Sequence, residues 1–153
     1  MSYPVREPRE IAKELCRGAT RLLRQQGYAA LAEVALANGR RADLLALGRD
    51  GEIRIVEIKS SLLDFRADRK WPEYRDFCDR LYFAVGADFP DELIPQDCGL
   101  IRADGWGAAI LREAPLLPLV AARRKAVTLR FALVAAQRLG QLLDPGFAAA
   151  SLF

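Results

Sequence analysis

Residues 40–59 read RRADLLALGRDGEIRIVEIK, and this stretch decides the fold. Two runs rich in branched and apolar side chains, residues 40–47 and 52–59, flank a turn that ends in Gly51. Runs of this kind around a glycine-containing turn are typical of a β-hairpin. The sequence therefore predicts two antiparallel strands joined by a short loop.

The register of this hairpin brings charged side chains together. A three-residue loop with Gly51 in the left-handed position pairs Asp43 with Glu57 across the two strands. Because side chains alternate along a strand, Lys59 lies on the same face as Glu57, while Ile58 points away and offers only its carbonyl. A two-residue turn would shift the register by one residue and weaken this pairing.

Two opposed carboxylates need something to neutralise them. At an effective dielectric constant near 20, two unit charges about 4 Å apart repel by about 4 kcal/mol. A shared proton, the cations Lys59, Arg40 and Arg41, or a divalent metal ion would each remove this repulsion. A hard ion such as Mg²⁺ is typically bound through one or two carboxylates together with water and phosphate oxygens. Such an ion can activate a bound water and offset charge on a phosphoryl group.

An N-terminal helix over residues 7–26 is predicted to cover this hairpin. Its apolar residues recur at spacings of three, four and seven, and a glycine at position 27 ends it. Glu14 falls at the edge of the apolar stripe, so we expect it to supply a third carboxylate if the helix lies over this edge of the sheet. Glu10 lies farther round the helix, toward solvent, and competes for that role.

The remaining chain predicts a single α/β domain over residues 1–153, with a mixed sheet covered by helices. A strand at residues 31–37 precedes the central hairpin, and a long polar stretch at 60–71 follows it. The later elements predicted are a helix at 72–81, a buried strand at 82–85, a hairpin of strands at 99–103 and 108–112, and a helix at about 118–143.

Composition excludes several kinds of chemistry. The chain has 153 residues and no histidine, so catalytic pairs that use histidine and zinc sites with histidine ligands are ruled out. Its three cysteines are too few and too scattered for a disulfide framework, which favours a reducing cytoplasm. We see no apolar run of about 20 residues, so we expect no membrane span. The formal net charge of +3 permits a polyanionic partner without requiring one.

The pair Ala42-Asp43, separated by thirteen residues from Glu57-Ile58-Lys59, resembles the motif of the PD-(D/E)xK nuclease superfamily, which has the restriction-endonuclease-like αβββαβ core. Ala42 replaces the proline of that motif. Over most of its length the chain is similar to the MmcB-like DNA-repair proteins of bacteria, in particular in the segments ADLLA, VEIKSS and KWPEYRDFCDRLYFAV.

The resemblance implies hydrolysis of phosphodiester bonds in DNA with Mg²⁺ or Mn²⁺ as cofactor. It implies Asp43 and Glu57 as metal ligands and Lys59 as the catalytic cation, with Ile58 and, less directly, Glu14 completing the metal site. Because the superfamily also contains inactive members, a DNA-binding module of a repair complex is the alternative. A homodimer and repair-complex proteins stay open as partners besides DNA.

A basic segment beside the proposed site predicts the contact with DNA. Its cations are interleaved with acids, yet they adjoin the acid pair in sequence and suit a rim that contacts phosphates. Trp71 next to Lys70 would suit stacking on an unpaired base, whereas Tyr74 begins an apolar stripe and is assigned to the core. The predicted DNA-binding residues are Arg41, Arg66, Arg69, Lys70, Trp71 and Arg75.

Overall fold

The computed structural model describes residues 2–147, 150 and 152. In chain order the elements are helix α1 (Pro8–Gln25), strands β1 (Ala29–Ala35), β2 (Arg41–Leu47) and β3 (Ile53–Lys59), helix α2 (Leu62–Ala67), a 3-10 helix (Trp71–Phe77), strand β4 (Arg80–Val85), a second 3-10 helix (Asp91–Leu93), strands β5 (Gly99–Ala103) and β6 (Ala108–Arg112), and helix α3 (Ala121–Leu143).

The six strands form one open sheet in the order β1-β2-β3-β4-β5-β6. Strands β1, β2 and β3 are antiparallel neighbours, β3, β4 and β5 run parallel, and β6 returns antiparallel to β5. This arrangement confirms the predicted mixed α/β sheet and the meander of its first three strands. Strands β5 and β6 have the predicted bounds, and the turn at residues 104–107 separates them.

Helices cover both faces of the sheet. Helix α1 buries Leu15 and Leu23 against one face, and the apolar spacing that predicted the helix supplies this contact. The other face packs against the first 3-10 helix and α3, which contribute the buried residues Tyr74, Phe77 and Phe131. Tyr74 is therefore a core residue, as predicted, and the charged residues of the central hairpin are positioned by packing on both sides.

The register of the central hairpin is confirmed by the structure. Gly51 has a φ of 89°, and the N–H of Gly48 donates to the carbonyl of Glu52 at 2.9 Å, which closes a three-residue loop. Leu47 then pairs with Ile53, and each later pair follows in step. The alternative two-residue turn is excluded.

The prediction of a helix at 72–81 is wrong in the type of helix and in the residue at which it ends. The chain forms a 3-10 helix that ends at Phe77, and β4 begins at Arg80. Asp79 explains the early end, because its N–H donates to the carbonyl of Ile53 and its carboxylate accepts from the N–H of Ile53, both at 2.8 Å. These bonds draw the chain alongside β3 before an α-helix can continue.

Helix α2 lies in the stretch that was predicted only as polar. Ser61 caps it by accepting a hydrogen bond from the N–H of Asp64 at 3.1 Å.

Among the described residues, no helix combines the length and apolar character needed to cross a membrane.

Candidate functional site

The sheet opens around Asp43. Pairing between β2 and β3 extends from the hairpin loop to Leu44 and Val56, one step short of the acid pair. On the other side, β1 pairs with β2 before and after Glu33, which has a left-handed φ of 52°. A left-handed residue other than glycine inside a strand bends the strand and is costly, and such strain is concentrated at functional sites. Asp43 therefore lies where both neighbouring strands part from β2.

The two carboxylates of the central hairpin are in contact. The N–H of Asp43 donates to Glu57 Oε1 at 3.2 Å, and the N–H of Ile58 donates to Asp43 Oδ2 at 2.8 Å. The Asp43 side chain is also close enough to raise the pKa of Glu57. The proximity predicted from the register is confirmed, and each acid is oriented by the backbone of the opposite strand.

Glu57 carries the proton of this pair. Glu57 is only 3% exposed. Burial, followed by the charge of Asp43 and the hydrogen bond with it, raises the pKa of Glu57 to about 9, against smaller opposing effects from the Asp43 N–H and Lys59. Near neutral pH Glu57 is therefore protonated, which removes the repulsion between two negative charges.

The arginines considered as alternative partners of the pair are engaged elsewhere. Arg40 Nε lies 2.5 Å from Glu73 Oε2, and Arg41 Nη2 lies 3.8 Å from Glu33 Oε1. Arg41 is exposed beside the opening. Neither contact involves Asp43 or Glu57, so these two arginines do not neutralise the pair, and the proton on Glu57 does.

Lys59 lies beside the acid pair, and Asp68 holds it in place. Lys59 is 5% exposed, and its Nζ donates to Asp68 Oδ2 at 2.6 Å. Burial alone would raise the pKa of Asp68, but the hydrogen bond from Lys59 and two backbone N–H groups hold it below the ordinary value. Asp68 was missed in the sequence because it is one of several acids in the polar stretch after β3, and nothing in that pattern distinguishes it.

These groups line a cavity of about 780 Å³. One wall belongs to β2, β3 and the segment after β3, and the facing wall belongs to α1 and β1. The residues along α1 that face it are Arg9, Ala12, Lys13 and Cys16. The sequence analysis missed Arg9 and Lys13 as site residues, although their spacing of four places both on one side of the helix. The cavity thus brings the cations Arg9, Lys13 and Lys59 together with several acids, which are Glu33, Asp43, Glu57, Asp64 and Asp68.

Glu14 is not brought to the acid pair. It makes an ion pair with Arg6 at 2.7 Å and lines a separate cavity of about 460 Å³. The reason is rotational, because Lys13 faces the first cavity and each helical residue turns by about 100° from the one before it. Within the described part of the chain, no group of three or more His, Cys, Asp or Glu residues is arranged to hold a metal ion.

Some residues of the segment predicted to contact DNA are exposed, and others contact residues of the chain itself. Arg66, Arg69 and Lys70 are exposed next to Asp68. Trp71 packs edge-on against Phe83 with ring centres 5.5 Å apart. Arg75 lies 5.4 Å from the centre of the Trp71 ring and pairs with Asp97 at 2.8 Å. The structure therefore presents the three exposed cations to a ligand and places Trp71 and Arg75 in internal contacts.

Comparison with known proteins identifies the family. A family model described as DNA repair protein MmcB-like matches residues 4–146. The chain belongs to the MmcB-like DNA repair family. Its fold is similar to the solved structure of a protein of unknown function from Silicibacter pomeroyi, with a TM-score of 0.87, 43% sequence identity, and coverage of 95% of this chain and 99% of that one. A search of curated proteins found no match.

The family assignment gives the site its context. The match spans α1 to α3, so the acid pair, Lys59 and the cations on α1 all lie within the MmcB-like region. Membership of a DNA repair family suggests an interaction with DNA.

Proposed function

We propose that this MmcB-like chain hydrolyses phosphodiester bonds in damaged or branched DNA with the help of Mg²⁺ or Mn²⁺, and that its core is that of the PD-(D/E)xK superfamily. One observation carries the proposal. Glu57 is buried against a second carboxylate, which raises its pKa to about 9, and both acids line a cavity to which α1 contributes Arg9 and Lys13. A buried acid pair whose repulsion Lys59 offsets only in part is costly to maintain, and this cost is explained if the pair serves a ligand.

The residues present fit one divalent cation. Asp43 and Glu57 supply two carboxylates in contact, and Mg²⁺ is commonly held by one or two carboxylates with the remaining positions left to water and phosphate oxygens. The carbonyl of Ile58 is proposed as a third oxygen. When bound, such an ion makes its water a better nucleophile and offsets negative charge on the phosphoryl group.

The side chains of the cavity have distinct tasks in this mechanism. To hold a cation, Glu57 would release its proton to solvent, so that Asp43 and Glu57 would both offer negative oxygens. Lys59 is held by Asp68 through one N–H and keeps two further protons to donate to the phosphate or to the attacking water. Because Lys59 is buried, its charge acts at low dielectric and is poorly screened by salt.

The cations on the wall attract and orient the substrate. Arg9 and Lys13 line the cavity together with the acid pair, and Arg41 is exposed two residues before Asp43 on β2. Positive charge around a cleft raises the rate of encounter with a polyanion and fixes its backbone, without reading its sequence. These residues are proposed to hold the phosphate on either side of the bond that is cut.

A second candidate function is a DNA-binding module without turnover. The observation that favours it is the absence, among residues 2–147, 150 and 152, of a group of three or more acids, cysteines or histidines placed to hold a metal ion. Such a module would bind DNA through the same cations and take up no metal.

Cleavage assays on labelled DNA separate the two functions. Single-stranded, duplex and branched substrates are incubated with Mg²⁺ or Mn²⁺ and the purified protein. We expect cleavage of at least one form, a loss of about 1,000-fold or more in the variant Asp43→Ala, and DNA binding by that variant close to the parent. The matched control is Asp144→Asn, which removes an exposed acid after α3.

Two results would contradict the nuclease proposal. One is the absence of cleavage of every DNA form with both ions while DNA is bound, which assigns the chain to the binding module. The other is equal cleavage by the parent and Asp43→Ala.

A further inference from the structure

The loop between β5 and β6 holds an exposed tryptophan. Trp106 is 79% exposed. The carboxylate of Asp104 accepts hydrogen bonds from the N–H of Trp106 at 2.7 Å and of Gly107 at 3.0 Å, and Arg21 Nη1 donates to the carbonyl of Trp106 at 2.8 Å. The backbone is therefore fixed while the large apolar ring faces solvent. A rigidly presented indole is a common feature of ligand contacts, because little entropy is lost when it binds.

The loop and α1 form one unit because Gly18 has no side chain. A Cβ at this position would lie 2.1 Å from the carbonyl oxygen of Asp104 and 2.5 Å from that of Gly107. The close approach places Arg17 beside the ring, with its guanidinium carbon 6.0 Å from the ring centre of Trp106. Helix α1 thus contributes both the support for Trp106 and a cation at its ring.

A row of basic residues connects Trp106 with the cavity of the acid pair. Arg9, Lys13, Arg17 and Arg21 follow one another at intervals of four, so they are neighbours along one side of α1. The first two line the cavity, and the last two contact Trp106. With a rise of 1.5 Å per residue the row extends about 18 Å. Two acids, Glu10 and Glu14, lie on the same helix, and Glu14 is paired with Arg6, so the four cations of the row outnumber them.

We propose that Trp106 and this basic row bind single-stranded DNA, with a base stacked on the indole and phosphates lying along the row toward the acid pair. Base stacking on aromatic rings tolerates any sequence, and arginine beside the ring strengthens it. Bases in a duplex are already stacked, so an exposed indole favours a single strand. The inference deepens the proposed function and rests on it only for the course of the strand toward Asp43 and Glu57.

Binding without cleavage tests the surface directly. Fluorescence anisotropy is measured in EDTA with the full chain and a labelled single strand of about 16 nucleotides, and with a duplex of the same sequence. Trp106→Ala is expected to weaken single-strand binding by about 5- to 100-fold and duplex binding by less than about twofold. Trp106→Phe should retain most of the affinity, whereas Trp106→Leu should behave like Trp106→Ala. Because Trp106 is exposed, these variants should unfold at the temperature of the parent.

The basic row has its own measurement. For the variant Arg17→Gln, the slope of log affinity against log salt concentration should fall by about 0.7 with the single strand, which corresponds to one lost phosphate contact. An unchanged slope contradicts the course proposed for the strand. Two results would overturn the stacking role of Trp106. One is that Trp106→Ala binds the single strand as tightly as the parent, and the other is that it loses affinity for the single strand and the duplex equally.

The outcomes also separate this inference from the proposed function. A protein that binds single strands through Trp106 but cuts no DNA supports the surface and contradicts the nuclease. A protein that cuts DNA while Trp106→Ala binds the single strand like the parent supports the nuclease and overturns the surface.

Discussion

Among the residues that the structure describes, two carboxylates are almost fully buried, and their hydrogen-bond partners differ. Asp79 is 2% exposed and lies just before β4, whereas Glu57 is 3% exposed and lies near the end of β3. Asp79 accepts hydrogen bonds from the N–H groups of Ile53 and Leu119, each at 2.8 Å. Both of its oxygens also accept from Arg124, at 2.5 and 2.6 Å.

The partners decide the ionisation of each acid. Burial alone would raise the pKa of Asp79, but the hydrogen bonds from Arg124 and from two backbone N–H groups hold it below the ordinary value. At Glu57 burial acts in the same direction and the neighbouring carboxylate of Asp43 adds to it, so the pKa rises to about 9. A fully compensated acid joins elements of the fold, whereas an uncompensated acid is retained at a cost in stability and marks a site for a ligand.

The largest effect on stability is expected at Asp79. The variant Asp79→Asn cannot neutralise Arg124 or accept all four hydrogen bonds, so the free energy of unfolding should fall by about 3–5 kcal/mol. Urea unfolding at pH 7 measures this value, with Asp144→Asn as an exposed control that should change it by less than about 0.5 kcal/mol. A loss below about 1 kcal/mol for Asp79→Asn would remove the contrast between the two acids.

Replacing the acid by its amide at Glu57 should instead increase the free energy of unfolding. Between its ordinary pKa of 4.5 and its folded value of about 9, Glu57 is protonated in the folded chain and ionised in the unfolded chain. The folded state then binds more protons, so stability falls as the pH rises, by about 1.4 kcal/mol per pH unit. Glu57 therefore costs no stability below pH 4.5, and the stability is lost progressively as the pH rises to about 9.

Glu57→Gln removes this dependence, since glutamine stays neutral at every pH. The variant should match the parent near pH 4.5 and exceed it at pH 7 by on the order of 3 kcal/mol in metal-free buffer. Urea unfolding at several pH values provides the comparison. Parallel stability curves for the parent and Glu57→Gln would show that the acid pair carries no extra proton.

The geometry of the acid pair could be predicted from sequence because it depends on local rules. A glycine in a three-residue loop fixes the hairpin register, and alternation along a strand then places Asp43, Glu57 and Lys59. The hairpin of β5 and β6 was predicted for the same reason. In both cases the decisive contacts lie within a few residues of a turn.

The other parts of the site depend on contacts between distant segments. Asp68 reaches Lys59 only because α2 folds back after β3, and the rotation of α1 turns Glu14 away while presenting Lys13. Trp71 has no local signal that it packs against a strand. The wrong helix at 72–81 has the same origin, since the hydrogen bonds of Asp79 with β3 override the helical spacing.

Calorimetric titration with Mn²⁺ tests the central claim, that the acid pair holds a divalent cation, most directly. At pH 7 we expect one ion to bind and about one proton to be released, because Glu57 must ionise first, and the heats in two buffers of different ionisation enthalpy give this number. The heat should vanish in Glu57→Gln. No heat with the parent, or the same heat with Glu57→Gln, would contradict the account.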